Sequence, residues 1–187
     1  MTISVHEMKA RWVFTEIRSE RTSRFYQGPQ LPVLHARLKN LVFADVATQD
    51  RDALAEMWEE ARGRYLYMYM EGVTGFVLEY WPATQLGEIS AMSQMDPAGK
   101  GRFFPMLDYA KSPRPVGPDA EHDPRVVADN SVLSSRDLQA GDPVTVGLYN
   151  GQQVLIDGYG RGVRFMQCAD ASDRVPVFAP IPASPRN

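Results

Sequence analysis

The sequence predicts a single α+β domain spanning residues 1–187, with short helices packed on a mixed sheet. Three observations carry that expectation. Two apolar, β-branched runs, Val144–Leu148 and Val154–Asp157, flank Asn150-Gly151, and Asn-Gly between strands is a strong hairpin signal because both residues tolerate positive φ. Leu54, Met57, Trp58 and Ala61 fall at i, i+3, i+4 and i+7, which marks a helix over Asp50–Arg62. Finally, residues 1–81 and 130–179 each hold too few apolar elements to cover a sheet alone, so the two halves are expected to share one core.

Taken in order, Met8–Arg24 interleaves Lys9, Arg11, Arg18, Arg21 and Arg24 with Trp12 and Phe14. Arginine forks phosphates and aromatics stack on bases, so an anion-facing arm is one reading. Glu7, Glu16 and Glu20 sit among these cations and favour the other, a salt-bridged strand or helix surface. Gln27-Gly28-Pro29 and Leu31-Pro32 break regular structure, after which Val33–Leu38 and Leu41–Val46 read as short strands. Thr48 or Asp50 caps the following helix and Gly63 suits its end. Tyr65, Tyr67 and Tyr69 alternate with Leu66, Met68 and Met70, the period of a strand, and Glu71–Gly75 turns the chain into a return strand, Phe76–Trp81. Asp96–Gly99 reads as a turn.

Residues 1–111 thus form an N-terminal elaboration. The proline-rich stretch 112–124 reads as a surface loop, and residues 125–179 form the C-terminal core, beginning with a short helix over Asn130–Leu138. The tail from Pro180 is expected to fray.

With 44% hydrophobic and 23% charged residues the composition is that of an ordinary globular protein. A net charge of −3 argues against a generic, electrostatically driven DNA binder. The lone Cys168 forms no internal disulfide, no signal-like segment opens the chain, and no apolar run approaches the roughly 20 residues of a membrane span. A cytoplasmic protein with no membrane partner is expected.

The chemistry concentrates after the hairpin, in Asp157-Gly158-Tyr159-Gly160-Arg161-Gly162. Three glycines leave backbone N–H groups uncovered, and a short helix through Val163, Phe165 and Met166 follows, an arrangement that can receive an anion or can serve simply as a tight turn closed by small residues. Arg161 falls in the first turn of that helix and Arg164 one turn later. Tyr159, between two glycines, is expected at the pocket mouth, where its ring stacks on a base. Asp157 ends the strand beside the pocket, as an acid–base group or as the group that caps the turn and orients the arginine. His6, His35 and His122 are scattered, and the adjacent Glu121, His122 and Asp123 do not converge on one ion, so no metal site is assigned.

The order PVTV, hairpin, VLIDGYGR, short helix, VPVF resembles the core of the ParB/sulfiredoxin-like superfamily, which includes the ParB-like nuclease domain. The resemblance covers about the last quarter of the chain. It implies that Gly158, Gly160 and Arg161 cradle the phosphates of a nucleotide of the ATP or CTP type, with magnesium as its accompanying ion and Asp157 at the strand end. Phosphoryl transfer or nucleotide hydrolysis is the implied activity. Tyr159 stands where sulfiredoxins place their nucleophilic cysteine, so the sulfiredoxin reaction is not expected. The alternative is a non-catalytic module that retains the fold and engages a protein or DNA partner.

Overall fold

The computed structural model describes residues 1–28, 30–62, 66–92, 103–118 and 120–184. Its strands are β1 (Thr2–Ser4), β2 (Val73–Trp81), β3 (Ser90–Met92), β4 (Phe103–Pro105), β5 (Val144–Tyr149), β6 (Gln152–Asp157) and β7 (Val175–Pro182). They form one seven-stranded mixed sheet in the order β1-β2-β7-β5-β6-β3-β4. The β5/β7 and β3/β6 pairs are parallel and the others antiparallel.

Side chains along the inner strands alternate between two apolar clusters, as a period of two residues requires when both faces are covered. Phe76, Val154, Ile156 and Phe178 belong to the first, with α1 (Val5–Glu16), α3 (Leu31–Leu38) and α4 (Thr48–Ala61). Leu155, Val175, Val177 and Ala179 belong to the second, with α5 (Ala83–Glu88), α6 (Met106–Lys111), α7 (Pro124–Asp129), α8 (Ser135–Ala140) and α9 (Tyr159–Cys168). A further short helix, α2, spans Glu20–Ser23. The molecule is therefore an α+β sheet layered between helices.

The helical stripe of α4 is as expected: Leu54 and Trp58 are fully buried, and Trp58 packs 6.0 Å from Trp12 of α1. The cationic N-terminal segment is a salt-bridged helix, with Lys9 paired to Glu59 and Arg11 to Glu7. Buried Glu16 accepts from Arg62 at 2.5 Å and from the Tyr26 hydroxyl, and burial together with the Glu16 charge pushes the Tyr26 phenol far above its ordinary range. The hairpin is also as expected, since Asn150 (φ 49°) and Gly151 (φ 78°) both take left-handed values, the type I′ geometry that matches strand twist.

Several expectations are corrected. Leu31–Leu38 is a helix, because Pro32 suits a first helical turn and Leu34 and Leu38 bury together at i, i+4. Leu41–Val46 holds a 3₁₀ turn at Phe43–Asp45 in place of a strand. The tyrosine row is a 3₁₀ turn at Tyr67–Tyr69 in which Tyr69 is buried and Tyr67 exposed. The backbone of that turn lies on β5, where a Cβ at Gly147 would come within 2.4 Å of the Tyr69 carbonyl oxygen. Asn130–Leu138 is not one helix: α7 ends at Asp129, and α8 starts behind Ser134, which forms a capping box with Asp137. Ser134→Ala is expected to lower stability by about 1 kcal/mol, read as a shifted urea midpoint at constant m-value. Pro180 and Pro182 belong to β7, paired with Phe76 and Val73. Gly63, Tyr65 and the turn Asp96–Gly99 lie outside the described residues.

Prolines inside an interior strand need an explanation, because each removes a donor from the ladder. Pro176, Pro180 and Pro182 lie four and two residues apart, so their nitrogens face the same edge of the strand, opposite to Ala183, whose N–H donates to the Gly72 carbonyl on the β2 side, and β2 pairs with β7 along its length. The missing donors therefore fall on the β5 side. There the ladder consists of Val144↔Val177 and Thr145↔Phe178, between Pro176 and Pro180.

Candidate functional site

β6 ends at Asp157, and Gly158 turns the chain with φ +86° into α9. A Cβ at Gly158 would stand 2.8 Å from Val144 Cγ1 and 3.0 Å from Arg161 Nη2, so the position requires glycine both for its backbone angle and for space. The helix starts at Tyr159, so Arg161 falls in its first turn as expected. Gly160, Arg161 and Gly162 are therefore helical, and Gly162 N–H donates to the Gly158 carbonyl at 2.9 Å. The N–H groups of Tyr159, Gly160 and Arg161 precede the first helical donor, Gly162, and no side chain caps the helix at Gly158.

A bulge aims the end of β6. Thr145 is paired with Asp157 while Val146 is paired with Leu155, which leaves Ile156 as the extra residue. Thr145 is also opposite Phe178 of β7, so Asp157, Thr145 and Phe178 form a row across three strands. These residues floor a cleft of about 470 Å³. Met8, Arg11, Trp12 and Thr15 of α1, with Arg18 just beyond it, form the opposite wall. Val42 and Phe43 close one end, and Asp142 and Arg161 stand at the start of β5 and the first turn of α9.

Three guanidinium groups face this cleft in different electrostatic settings. Arg161, with 24% of its side chain exposed, reaches Asp157 Oδ2 at 3.4 Å and Asp142 Oδ2 at 3.8 Å, and its buried Nε has no hydrogen-bond partner. Arg11 donates from Nε and Nη2 to Glu7 Oε1 at 3.1 and 2.9 Å and stacks over Phe43. Arg18 donates to the carbonyls of Leu41 and Lys39 at 3.2 and 3.1 Å and lies over the Phe14 ring. Carbonyl oxygens satisfy the Arg18 donors without neutralising its charge, and among the described residues it forms no ion pair.

Of the residues expected at the site, Asp157 and Arg161 line the cleft, with Gly158 shaping the turn between them. Tyr159 does not face the mouth. Its hydroxyl donates to the Leu155 carbonyl at 2.6 Å and its ring meets Tyr109 edge-on against the second core. Gly160 lies against α7, where a Cβ would stand 3.5 Å from the Pro124 carbonyl oxygen, so its role is close helix packing. Arg164 turns elsewhere and donates from Nε to the Leu133 carbonyl at 2.8 Å. Sequence reasoning did not assign Arg11, Thr15 and Arg18 to this site, although they recur at i, i+4 and i+7. Among the described residues no group of three His, Cys, Asp or Glu side chains is placed to hold a metal ion. Asp123, from the Glu121-His122-Asp123 run, is bound to Arg125. Burial raises the Cys168 thiol above its ordinary range, and Cys168 is not among the cleft residues.

No protein-family model matches the chain, and neither the curated proteins nor the solved structures contain a match to it. No helix among the described residues is long and apolar enough to cross a membrane.

Proposed function

We propose that the cleft between α1 and the first turn of α9 binds the phosphate of a nucleotide, with Arg161 as the principal cation. The observation that carries this reading is the state of Arg161. It sits at a helix N-terminus, where the macrodipole already disfavours a cation. Its two carboxylate neighbours are 3.4 and 3.8 Å away, longer than a charge-assisted hydrogen bond of about 2.8 Å. An anion in front of the guanidinium and the uncapped N–H groups satisfies both at once. Asp157 then orients the arginine, and it is the cleft carboxylate whose replacement by asparagine separates binding from any turnover.

The ligand is of the ATP or CTP type, in keeping with the ParB/sulfiredoxin-like likeness of residues 143–178. Magnesium would enter on the phosphates, as an ion commonly held by one or two carboxylates plus substrate oxygens, and Asp142 and Asp157 are the carboxylates at the cleft.

Thermal unfolding with ATP and CTP tests the proposal. At about 100 times Kd a ligand stabilises by about 2.7 kcal/mol. Arg161→Ala is expected to weaken nucleotide binding by about tenfold or more with little change in stability, the loss of one charge-assisted pair. Arg161→Lys should recover only part, since an ammonium cannot form the bidentate fork. If the alanine variant instead loses stability and keeps its affinity, Arg161 braces the turn through Asp157. If neither nucleotide stabilises the protein, the chain is better read as a non-catalytic module for a protein or DNA partner.

A further inference from the structure

We infer that the turn after α1 supplies a second anion locus, centred on Arg18, so that the cleft takes a phosphate chain with charges at both walls in preference to a single phosphate. The inference rests on the proposed phosphate site at Arg161 and extends it to residues outside the C-terminal core. Arg11 and Thr15 lie one turn apart on α1, Arg18 follows in the turn just beyond it, and all three line the same cleft as Arg161. Arg11 is already neutralised by Glu7, but Arg18 is held only by carbonyl oxygens and an aromatic face. These contacts fix the guanidinium in place while leaving its charge available. Arg161, by contrast, shares its charge with Asp157 and Asp142. A ligand with one anionic group satisfies one wall, whereas a chain of phosphates crosses between them. The rings of Phe43 and Phe178 in the cleft lining lower the local dielectric and strengthen both contacts.

The test compares AMP and ATP by calorimetric titration on the full chain, with the unfolding midpoint of every variant measured alongside. Arg18 is exposed, so Arg18→Gln is expected to keep the fold, which its unfolding midpoint checks. Wild type should bind ATP more tightly than AMP. Arg18→Gln should weaken ATP by about tenfold and leave AMP unchanged, and Arg18→Lys should restore part of the ATP affinity. Arg161→Ala should weaken both ligands. Equal wild-type affinity for AMP and ATP overturns the second locus and leaves the Arg161 site standing, as does an Arg18→Gln variant that binds ATP normally. Equal weakening of both ligands by Arg18→Gln places Arg18 in the same locus as Arg161 and also overturns it. Binding of neither ligand by wild type overturns the Arg161 site and the inference together.

Discussion

Replacing Arg125 with alanine is expected to destabilise the protein by about 3–5 kcal/mol, because it leaves the Asp123 carboxylate buried without its cation. The side chains of Arg125 and Asp123 are only 7% and 3% exposed. Arg125 donates from Nε and Nη2 to the two Asp123 oxygens at 2.8 Å each, and from Nη1 to Ser112 Oγ and the Pro113 carbonyl at 2.5 and 3.0 Å. Asp123 also caps α7 by accepting from the Arg125 backbone N–H at 2.8 Å. One pair therefore ties both ends of the proline-rich segment to the second core. The double replacement of Asp123 and Arg125 by alanine should cost less than the two single changes added together, since no lone charge is then left behind. Urea unfolding at neutral pH measures all three; a single-variant loss below about 1 kcal/mol would show that the pair is solvated.

The same pair sets an acid limit. Burial alone pushes the Asp123 carboxyl up, but the Arg125 hydrogen bonds and charge outweigh it, so the group titrates below the ordinary carboxylate range. A carboxyl depressed in the folded state contributes stability that is present above its unfolded value and is lost as pH falls through its folded value. The Arg125→Ala variant should lack that contribution.

Gly158→Ala is expected to cost about 2–5 kcal/mol through two separate terms. Holding a residue with a Cβ at φ +86° costs about 1–2 kcal/mol. Forcing that Cβ to within 2.8 Å of Val144 Cγ1 and 3.0 Å of Arg161 Nη2 adds about 1–3 kcal/mol of overpacking. Gly151→Ala is the control: it also has positive φ, 78°, but a Cβ there meets nothing within 4 Å. The difference between the two variants is the steric term, and equal losses would mean that Val144 yields freely. Any shift of Arg161 in Gly158→Ala should also lower ligand affinity at the cleft, which Gly151→Ala should leave unchanged.

Local rules with a single backbone solution were legible in the sequence. Asn150-Gly151 permits few turns other than the one observed, and the four-residue stripe of α4 admits one periodicity. Leu31–Leu38 was ambiguous because Leu34, Ala36 and Leu38 satisfy a strand period as well as Leu34 and Leu38 satisfy a helical one, and burial against α4 decides between them. Tyr67–Tyr69 alternated convincingly, yet the space left by Gly147 drew that segment into a turn against β5. At the site, Asp157, Gly158 and Arg161 were found because they are neighbours in the chain. The α1 wall was not, since Arg11 and Arg18 reach the cleft only through long-range packing of the N-terminal helices on the sheet. Tyr159 and Gly160 were misplaced because they read as open turn, glycine normally arguing against a helix interior. Here Gly160 and Gly162 are tolerated where α7, α6 and α5 press close, as the near approach of Pro124, Met106 and Leu86 shows.

β7 follows every other strand in the chain yet sits in the interior of the sheet, between β2 and β5. During synthesis the two strands it joins must wait with open edges, and their pairing cannot begin until residues 175–182 have been made. Such delayed, long-range closure folds slowly and leaves strand edges open to wrong partners in the interval. Phe178, which floors the cleft, arrives on that same strand. A nascent chain therefore acquires the shape of its cleft only after its sheet is complete, and nothing that docks in that cleft could template the earlier steps of folding.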